Sequence, residues 1–199
     1  MDVADFSAEL VRVQALMRRF PAPWCVGGGW ALDLFVGRAL RRHADVDLVL
    51  FRRDQAHLRE HFLTWTFQKV VDKQLVDWPA GECLLPPVHE IHARSADDPP
   101  QALEFLLNEH DEEHWRFRRD LRVVRSLDRL ILRAETGLPI LCPEVVLLYK
   151  AKAPRAADDA DFEAVRESLG AERQSWLRGA LDVCHAGHSW IARLQAEPR

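Results

Sequence analysis

The sequence predicts an α+β fold: a small mixed sheet flanked by helices, followed by a C-terminal helical bundle. Three observations predict it. A glycine turn, Gly27-Gly28-Gly29, joins a short apolar run to a helical pattern, and an alternating apolar strand follows at short range. From about residue 67 to 133 the chain carries short β-type runs separated by proline and polar connections. Beyond Gly137 apolar residues recur at helical spacing. The chain therefore divides into a mixed α/β unit, residues 1–137, and a helical unit, residues 138–199.

Taken in order, residues 3–20 read as an amphipathic helix with Phe6, Leu10, Val13, Met17 and Phe20 on one face, ended by Pro21 and Pro23. Trp24-Cys25-Val26 reads as a strand, and a helix runs from Trp30 to about Val36 with Gly37 as its C-cap. The next strand carries Asp45 and Asp47 on one face, with Val46, Leu48 and Leu50 on the other, and ends near Phe51. Asp54 is placed to cap a helix through Leu63. Strands are then expected at 67–72, 82–85, 89–94, 102–109, 115–119 and 129–133, with Pro86-Pro87 and Pro99-Pro100 marking connections. Pro143 followed by Glu144 reads as a helix start, and further helices are expected at about 158–168, 171–185 and 188–196.

Composition narrows the function classes. At 199 residues with a net charge of −4, the chain lacks the basic excess of a general nucleic-acid binder. It has no apolar run long enough to span a membrane, and Asp2, Asp5 and Glu9 do not fit a signal-peptide pattern. Its four cysteines (Cys25, Cys83, Cys142, Cys184) are scattered among apolar neighbours, which reads as buried free thiols in a reducing cytoplasm. His89 and His92, three apart, and His110 and His114, four apart, come without a Cys or carboxylate set at ligand spacing, so zinc is not expected. The acidic run from Asn108 to Glu113 reads as a solvated loop.

Asp45 and Asp47 carry the chemistry. Two carboxylates side by side on a rigid strand repel each other unless a cation lies between them. Hard oxygen ligands suit Mg²⁺, and Mg²⁺ commonly accompanies phosphate. A glycine turn opening a helix supplies backbone N–H groups that cradle phosphate. Three glycines in a row exceed what a tight turn needs, and close approach of backbone to a triphosphate accounts for the excess.

The run Gly28-Gly29-Trp30-Ala31-Leu32-Asp33, then Gly37-Arg38, then Arg41-Arg42-His43-Ala44-Asp45-Val46-Asp47-Leu48 resembles the DNA polymerase beta-like nucleotidyltransferase superfamily. Within it, the run is similar to the aminoglycoside 2″-adenylyltransferase and lincosamide nucleotidyltransferase branch, the close match covering residues 24–51. The resemblance implies a small nucleotidyltransferase sheet domain with the active site in the cleft beside the helical unit. It implies a third carboxylate on a neighbouring strand: Glu104 in Leu103-Glu104-Phe105 fits, and Glu90 in His89-Glu90-Ile91 is the rival one strand earlier. The slot often filled by Ser in such enzymes holds Gly29 here.

By the same resemblance, Asp45, Asp47 and Glu104 would be the catalytic and metal-binding residues, with Mg²⁺ as cofactor. Gly28, Gly29, Arg42 and Lys150 would hold the nucleotide, Lys150 reaching over from the first C-terminal helix. The run Lys152, Arg155, Asp158, Asp161-Phe162 would order the helix junction. The implied activity is Mg²⁺-dependent transfer of a nucleoside monophosphate from a nucleoside triphosphate to a hydroxyl of a small molecule, an aminoglycoside- or lincosamide-like antibiotic being one such acceptor. The alternatives are a non-catalytic, antitoxin-like member that binds nucleotide or a partner, and a transferase acting on a metabolite or protein.

Overall fold

The structure, a computed structural model, describes residues 3–98 and 101–194, with side chains from residue 8 onward. Helix α1 spans Val3–Leu16. Leu10 and Val13 on it, and Met17 and Phe20 just past its end, are buried in the core, while the side chain of Phe6 lies outside the described residues. Strand β1 is Trp24–Val26 and helix α2 is Gly28–Val36. Gly37 closes α2 at φ 72°, the left-handed C-cap expected of a glycine.

Strand β2 is Asp47–Phe51, so Asp45 precedes the strand rather than sharing it. The reason is a side chain: the Trp30 indole N–H donates to the Asp45 carbonyl at 2.9 Å, taking an acceptor that a sheet ladder would otherwise use. Helix α3 is His57–His61, and Asp54 does not cap it. The chain enters α3 already helical from a 3-10 turn at Arg52–Asp54, so the N–H groups of Leu58 and Arg59 find the carbonyls of Gln55 and Ala56.

Strands β3, Thr66–Val71, and β4, Gln74–Asp77, form a hairpin across Asp72 and Lys73, both at positive φ. That is the two-residue geometry usually signalled by Asn-Gly, and the absence of glycine hid β4 from the sequence reading. The strand expected at 82–85 is absent. There the Gln55 side chain accepts the Leu84 N–H at 2.7 Å and donates to the Leu84 carbonyl at 3.2 Å, satisfying backbone groups that a strand would pair. The remaining strands are β5, Glu90–Arg94; β6, Ala102–His110; β7, His114–Arg116; β8, Val124–Ser126; β9, Ile131–Arg133; and β10, Pro139–Leu141. The short β8 and β10 have no counterpart in the sequence reading, and residues 127–129 form a 3-10 turn. The Pro99-Pro100 connection lies outside the described residues.

Among the described residues ten strands form the sheet, in the order β4-β3-β5-β6-β2-β1-β10-β9, with β7 pairing β6 and β8. The sheet is mixed: β2 is parallel to β6 and β1 to β10, whereas β1–β2 and β5–β6 are antiparallel. Register sets its two faces. Leu48, Leu50, Ile91, Ala93, Leu103, Phe105 and Leu107 alternate onto one face, all at most 2 % exposed. Asp47, Val49, Glu90, His92, Glu104, Leu106 and Asn108 fall on the opposite face, which carries the polar residues.

Helices α4, Pro143–Lys150; α5, Ala156–Arg166; α6, Gly170–Cys184; and α7, Ser189–Arg193 follow. Pro143 occupies the first turn of α4, as its fixed φ favours. Residues 195–196 of the last expected helix lie outside the described residues. The Phe162 and Trp190 rings stack at 4.4 Å between α5 and α7. An ion-pair cluster joins sheet to helices: buried Arg125 on β8 pairs with buried Glu144 on α4 at 2.5 Å and with the exposed Glu172 on α6 at 2.7 Å. All four cysteines are free; Cys25 and Cys142 are buried, whereas Cys83 is exposed and Cys184 half-buried, contrary to the expectation for those two. Among the described residues no helix is long and apolar enough to cross a membrane.

Candidate active site

A cleft of about 530 Å³ runs along the polar face of the sheet and under α4. Its lining includes Gly28, Gly29, Asp45, Asp47, Leu106, Asn108 and Lys150. Strand, turn and helix meet here because β1 feeds α2 through glycines that no other residue fits. Gly28 sits at φ 54°, and a side chain there would run into the Asp47 carboxylate. Gly27 donates its N–H to the Asp47 carbonyl at 2.8 Å. The start of α2 and the start of β2 are thereby held against each other.

Gly29 has a different constraint. The space a side chain would need is taken by the His43 imidazole and the Arg41 guanidinium. His43 Nε2 lies 2.9 Å from Asp33 Oδ2, a fully buried carboxylate on α2, and its ring packs at 5.3 Å on Trp30. Here, then, an imidazole occupies the position beside the helix N-terminus that a side chain in the second glycine slot would fill.

The carboxylates gather by register. Glu104 on β6 is the lateral partner of Asp47 on β2, and His92 on β5 is the partner of Glu104 on its other side. Glu90 pairs with Leu106, one strand farther from Asp47. Burial, then the nearby Asp45 and Glu90 charges, pushes the Asp47 carboxyl up to about 6, against the opposing pull of Lys150 and His43. Glu104 is pushed up to about 7, first by burial, with Asp45, Asp47 and Glu90 adding to it and His92 opposing. Crowded, partly desolvated carboxylates of this kind are relieved by a cation, and their donor set of hard oxygens fits Mg²⁺. Asp45 also lines a second hollow of about 340 Å³ that contains Glu104 and His92 and adjoins the cleft.

The wall opposite the acids is basic, and much of it is already paired. Lys150 Nζ lies 2.7 Å from Asp158 Oδ1 and 3.0 Å from Asp161 Oδ2. Arg41 reaches Asp161 from the other side, Nε to Oδ1 at 3.1 Å. Burial alone would raise the Asp158 carboxyl, but hydrogen bonds from Arg155 and Lys150 hold it well below the usual range. Farther along, Arg118 and Arg119 lie over the Tyr149 ring at 5.4 and 5.3 Å, and Arg119 donates to the Tyr149 carbonyl at 2.8 Å. Tyr149 in turn donates its hydroxyl to Asn108 Oδ1 at 3.0 Å.

Against this geometry stands a match to known proteins. The model of the aminoglycoside-2″-adenylyltransferase family matches residues 9–129, more than half of the chain. The chain belongs to this family. It is a nucleotidyltransferase, and the resemblance read from residues 24–51 extends across most of the sheet.

Solved structures with the same fold include antibiotic-resistance factor ANT(2″)-Ia in solution, at 18% identity and TM-score 0.58, covering 97% of this chain and 99% of that one. ANT(2″)-Ia in complex with adenylyl-2″-tobramycin aligns at 18% identity and TM-score 0.56, over 91% of this chain and 98% of that one. The lincomycin-bound lincosamide antibiotic adenylyltransferase LnuA aligns at 14% identity and TM-score 0.55, over 81% of this chain and 96% of that one. At these identities the likeness is one of fold. Among the curated proteins, none matches the chain.

Within this family member the structure brings Gly28, Gly29, Asp45, Asp47 and Lys150 to one cleft and sets Glu104 beside Asp47. Arg42 is exposed and is not among the lining residues; Arg41, one residue earlier, lines the cleft instead. Sequence reasoning assigns no site role to His43, Arg118, Arg119 or Tyr149, and sets His92 aside because its spacing from His89 brings no ligand set. Of the first four, only His43 carries a sequence signal, lying within the basic run before Asp45.

Proposed function

We propose that this protein transfers a nucleoside monophosphate from a nucleoside triphosphate to a hydroxyl of a small molecule, releasing pyrophosphate, in a Mg²⁺-dependent reaction. The observation that carries the reading is the lateral pairing of Asp47 with Glu104 beside the glycine turn. Asp45, Asp47 and Glu104 would hold the metal. When bound, Mg²⁺ lowers the pKa of an acceptor hydroxyl and offsets charge on the transferring phosphoryl group.

The chain's own residues divide the remaining work. The N–H groups at the start of α2 face the phosphates. Lys150 closes from α4, exchanging a carboxylate of Asp158 or Asp161 for a phosphate oxygen. Glu104, beside Asp47, either completes the metal site or takes the proton of the acceptor hydroxyl. The helical unit, for which we retain the division near residue 137, supplies the roof of the cleft. Family membership supports an aminoglycoside-like acceptor, and the likeness to LnuA keeps a lincosamide-like one in the panel. The four free thiols support a reducing compartment as its place of work.

The test is thermal unfolding with nucleotide. ATP or GTP with Mg²⁺ stabilises the protein by about 2.7 kcal/mol at a hundredfold excess over the dissociation constant. With EDTA the shift is lost, because an unaccompanied triphosphate meets the Asp45 and Asp47 charges. No shift with any triphosphate in the presence of Mg²⁺ would overturn the reading.

A further inference from the structure

We propose that Glu90, His92 and Glu104 form a binding site for a divalent transition-metal ion, with Mn²⁺ the fitting probe. One ligand atom from each of the three lies within 4.8 Å of the other two, a grouping found among the described residues. The scaffold is rigid. Glu90 and His92 are two apart on β5 and so share a face, and Glu104 is the direct partner of His92 on β6. The imidazole already sits between the two acids, Nε2 at 2.8 Å from Glu90 Oε1 and Nδ1 at 3.4 Å from Glu104 Oε1. Each side chain is between 25% and 32% exposed, and His92 and Glu104 line the 340 Å³ hollow, which leaves room for water ligands.

Donor chemistry decides the metal class. Carboxylate oxygens alone suit Mg²⁺, whereas an imidazole among them shifts the preference toward transition-metal ions, of which Mn²⁺ also accepts carboxylate and water ligands and is visible by electron paramagnetic resonance. The spacing of histidines along the chain did not reveal this site, because one of its acids comes from the neighbouring strand. Glu104 would be shared between this site and the Asp45–Asp47 pair, so the inference builds on the metal assignment proposed above. Its test reads ion binding without nucleotide, so the two stand or fall separately.

The experiment is a Mn²⁺ titration followed by electron paramagnetic resonance, on the full chain carrying Asp47→Asn so that the two-aspartate site is weakened. One Mn²⁺ ion is expected to bind. Adding His92→Ala should weaken binding at least about tenfold, and more than a tenfold excess of Mg²⁺ should be needed to displace half of the Mn²⁺. His92→Gln, judged by circular dichroism and melting temperature, serves as a second variant if His92→Ala fails to fold. A dissociation constant unchanged within threefold in the folded His92 variant, or displacement of Mn²⁺ by equimolar Mg²⁺, would overturn the proposal. So would an absence of bound Mn²⁺ at millimolar concentration.

Discussion

Asp47 and Glu104 stand side by side on the parallel strands β2 and β6, each directly opposite the other in register. Burial raises both carboxyls first; the Asp45 and Glu90 charges add to it at Asp47, and the Asp45, Asp47 and Glu90 charges add to it at Glu104. The metal-free fold therefore tolerates a local conflict, and the first prediction follows from it.

Asp47→Asn should abolish transfer while raising the stability of the metal-free protein by about 1–3 kcal/mol near neutral pH. The sign follows from linkage. The folded-state carboxyl of Asp47 is raised to about 6, so its favourable contribution is present below the ordinary carboxylate range and is lost as pH rises through about 6. The advantage of the variant should be small near pH 4 and level off by about pH 7. Melting temperatures in EDTA across that range check it; a constant difference at all pH values would contradict it.

Glu104 and Glu90 are separated by the same geometry. Glu104→Gln should lower turnover by about 10²–10⁴-fold, the range for a lost proton acceptor. Glu90→Gln, one strand farther from Asp47, should cost at least about tenfold less. Steady-state pyrophosphate release at saturating Mg²⁺ is the measurement, and the reverse order would move the third acid to β5.

Gly28→Ala tests the turn. The left-handed backbone alone costs a non-glycine residue about 1–2 kcal/mol, and the new methyl group would press on the Asp47 carboxylate. Chemical denaturation should show at least that loss, with nucleotide affinity falling further than stability explains. A variant with normal affinity would exclude close contact between this turn and the phosphates.

Lys150→Ala should weaken triphosphate binding more than monophosphate binding. It also leaves Asp158 short of one donor, although Arg155 still serves it, and Asp161 retains Arg41. The expected loss of stability is therefore about 1–3 kcal/mol, typical of a buried polar group losing a partner. Calorimetric titration with ATP and AMP separates the two effects, and equal weakening of both nucleotides would remove Lys150 from the phosphates.

Much of this site was legible in the sequence because its signals are local. Gly28, Gly29, Trp30, Asp45 and Asp47 lie within twenty residues of one another, and period-two alternation puts Glu104 on the face of its strand that Asp47 shares. What stayed hidden depends on distant partners. Asp45 was read into β2 because alternation cannot show that Trp30 takes its carbonyl. Strand β4 was missed because Asp72 and Lys73 adopt positive φ without glycine. The expected strand at 82–85 gave way to the Gln55 side chain, twenty-nine positions from Leu84. Arg41 and Arg42 are indistinguishable by type, and only the pairing of Arg41 with Asp161 on α5 tells them apart.

Nucleotidyl transfer at Asp47 is open to direct measurement. The direct measurement incubates the protein with Mg²⁺, a nucleoside triphosphate labelled at its α-phosphate, and a panel of aminoglycosides and lincosamides, and follows label into the acceptor by mass spectrometry. The expected product is an acceptor carrying one nucleotidyl group in place of its hydroxyl proton, with equimolar pyrophosphate, and no product from Asp47→Asn. Labelled product formed equally by Asp47→Asn would contradict it.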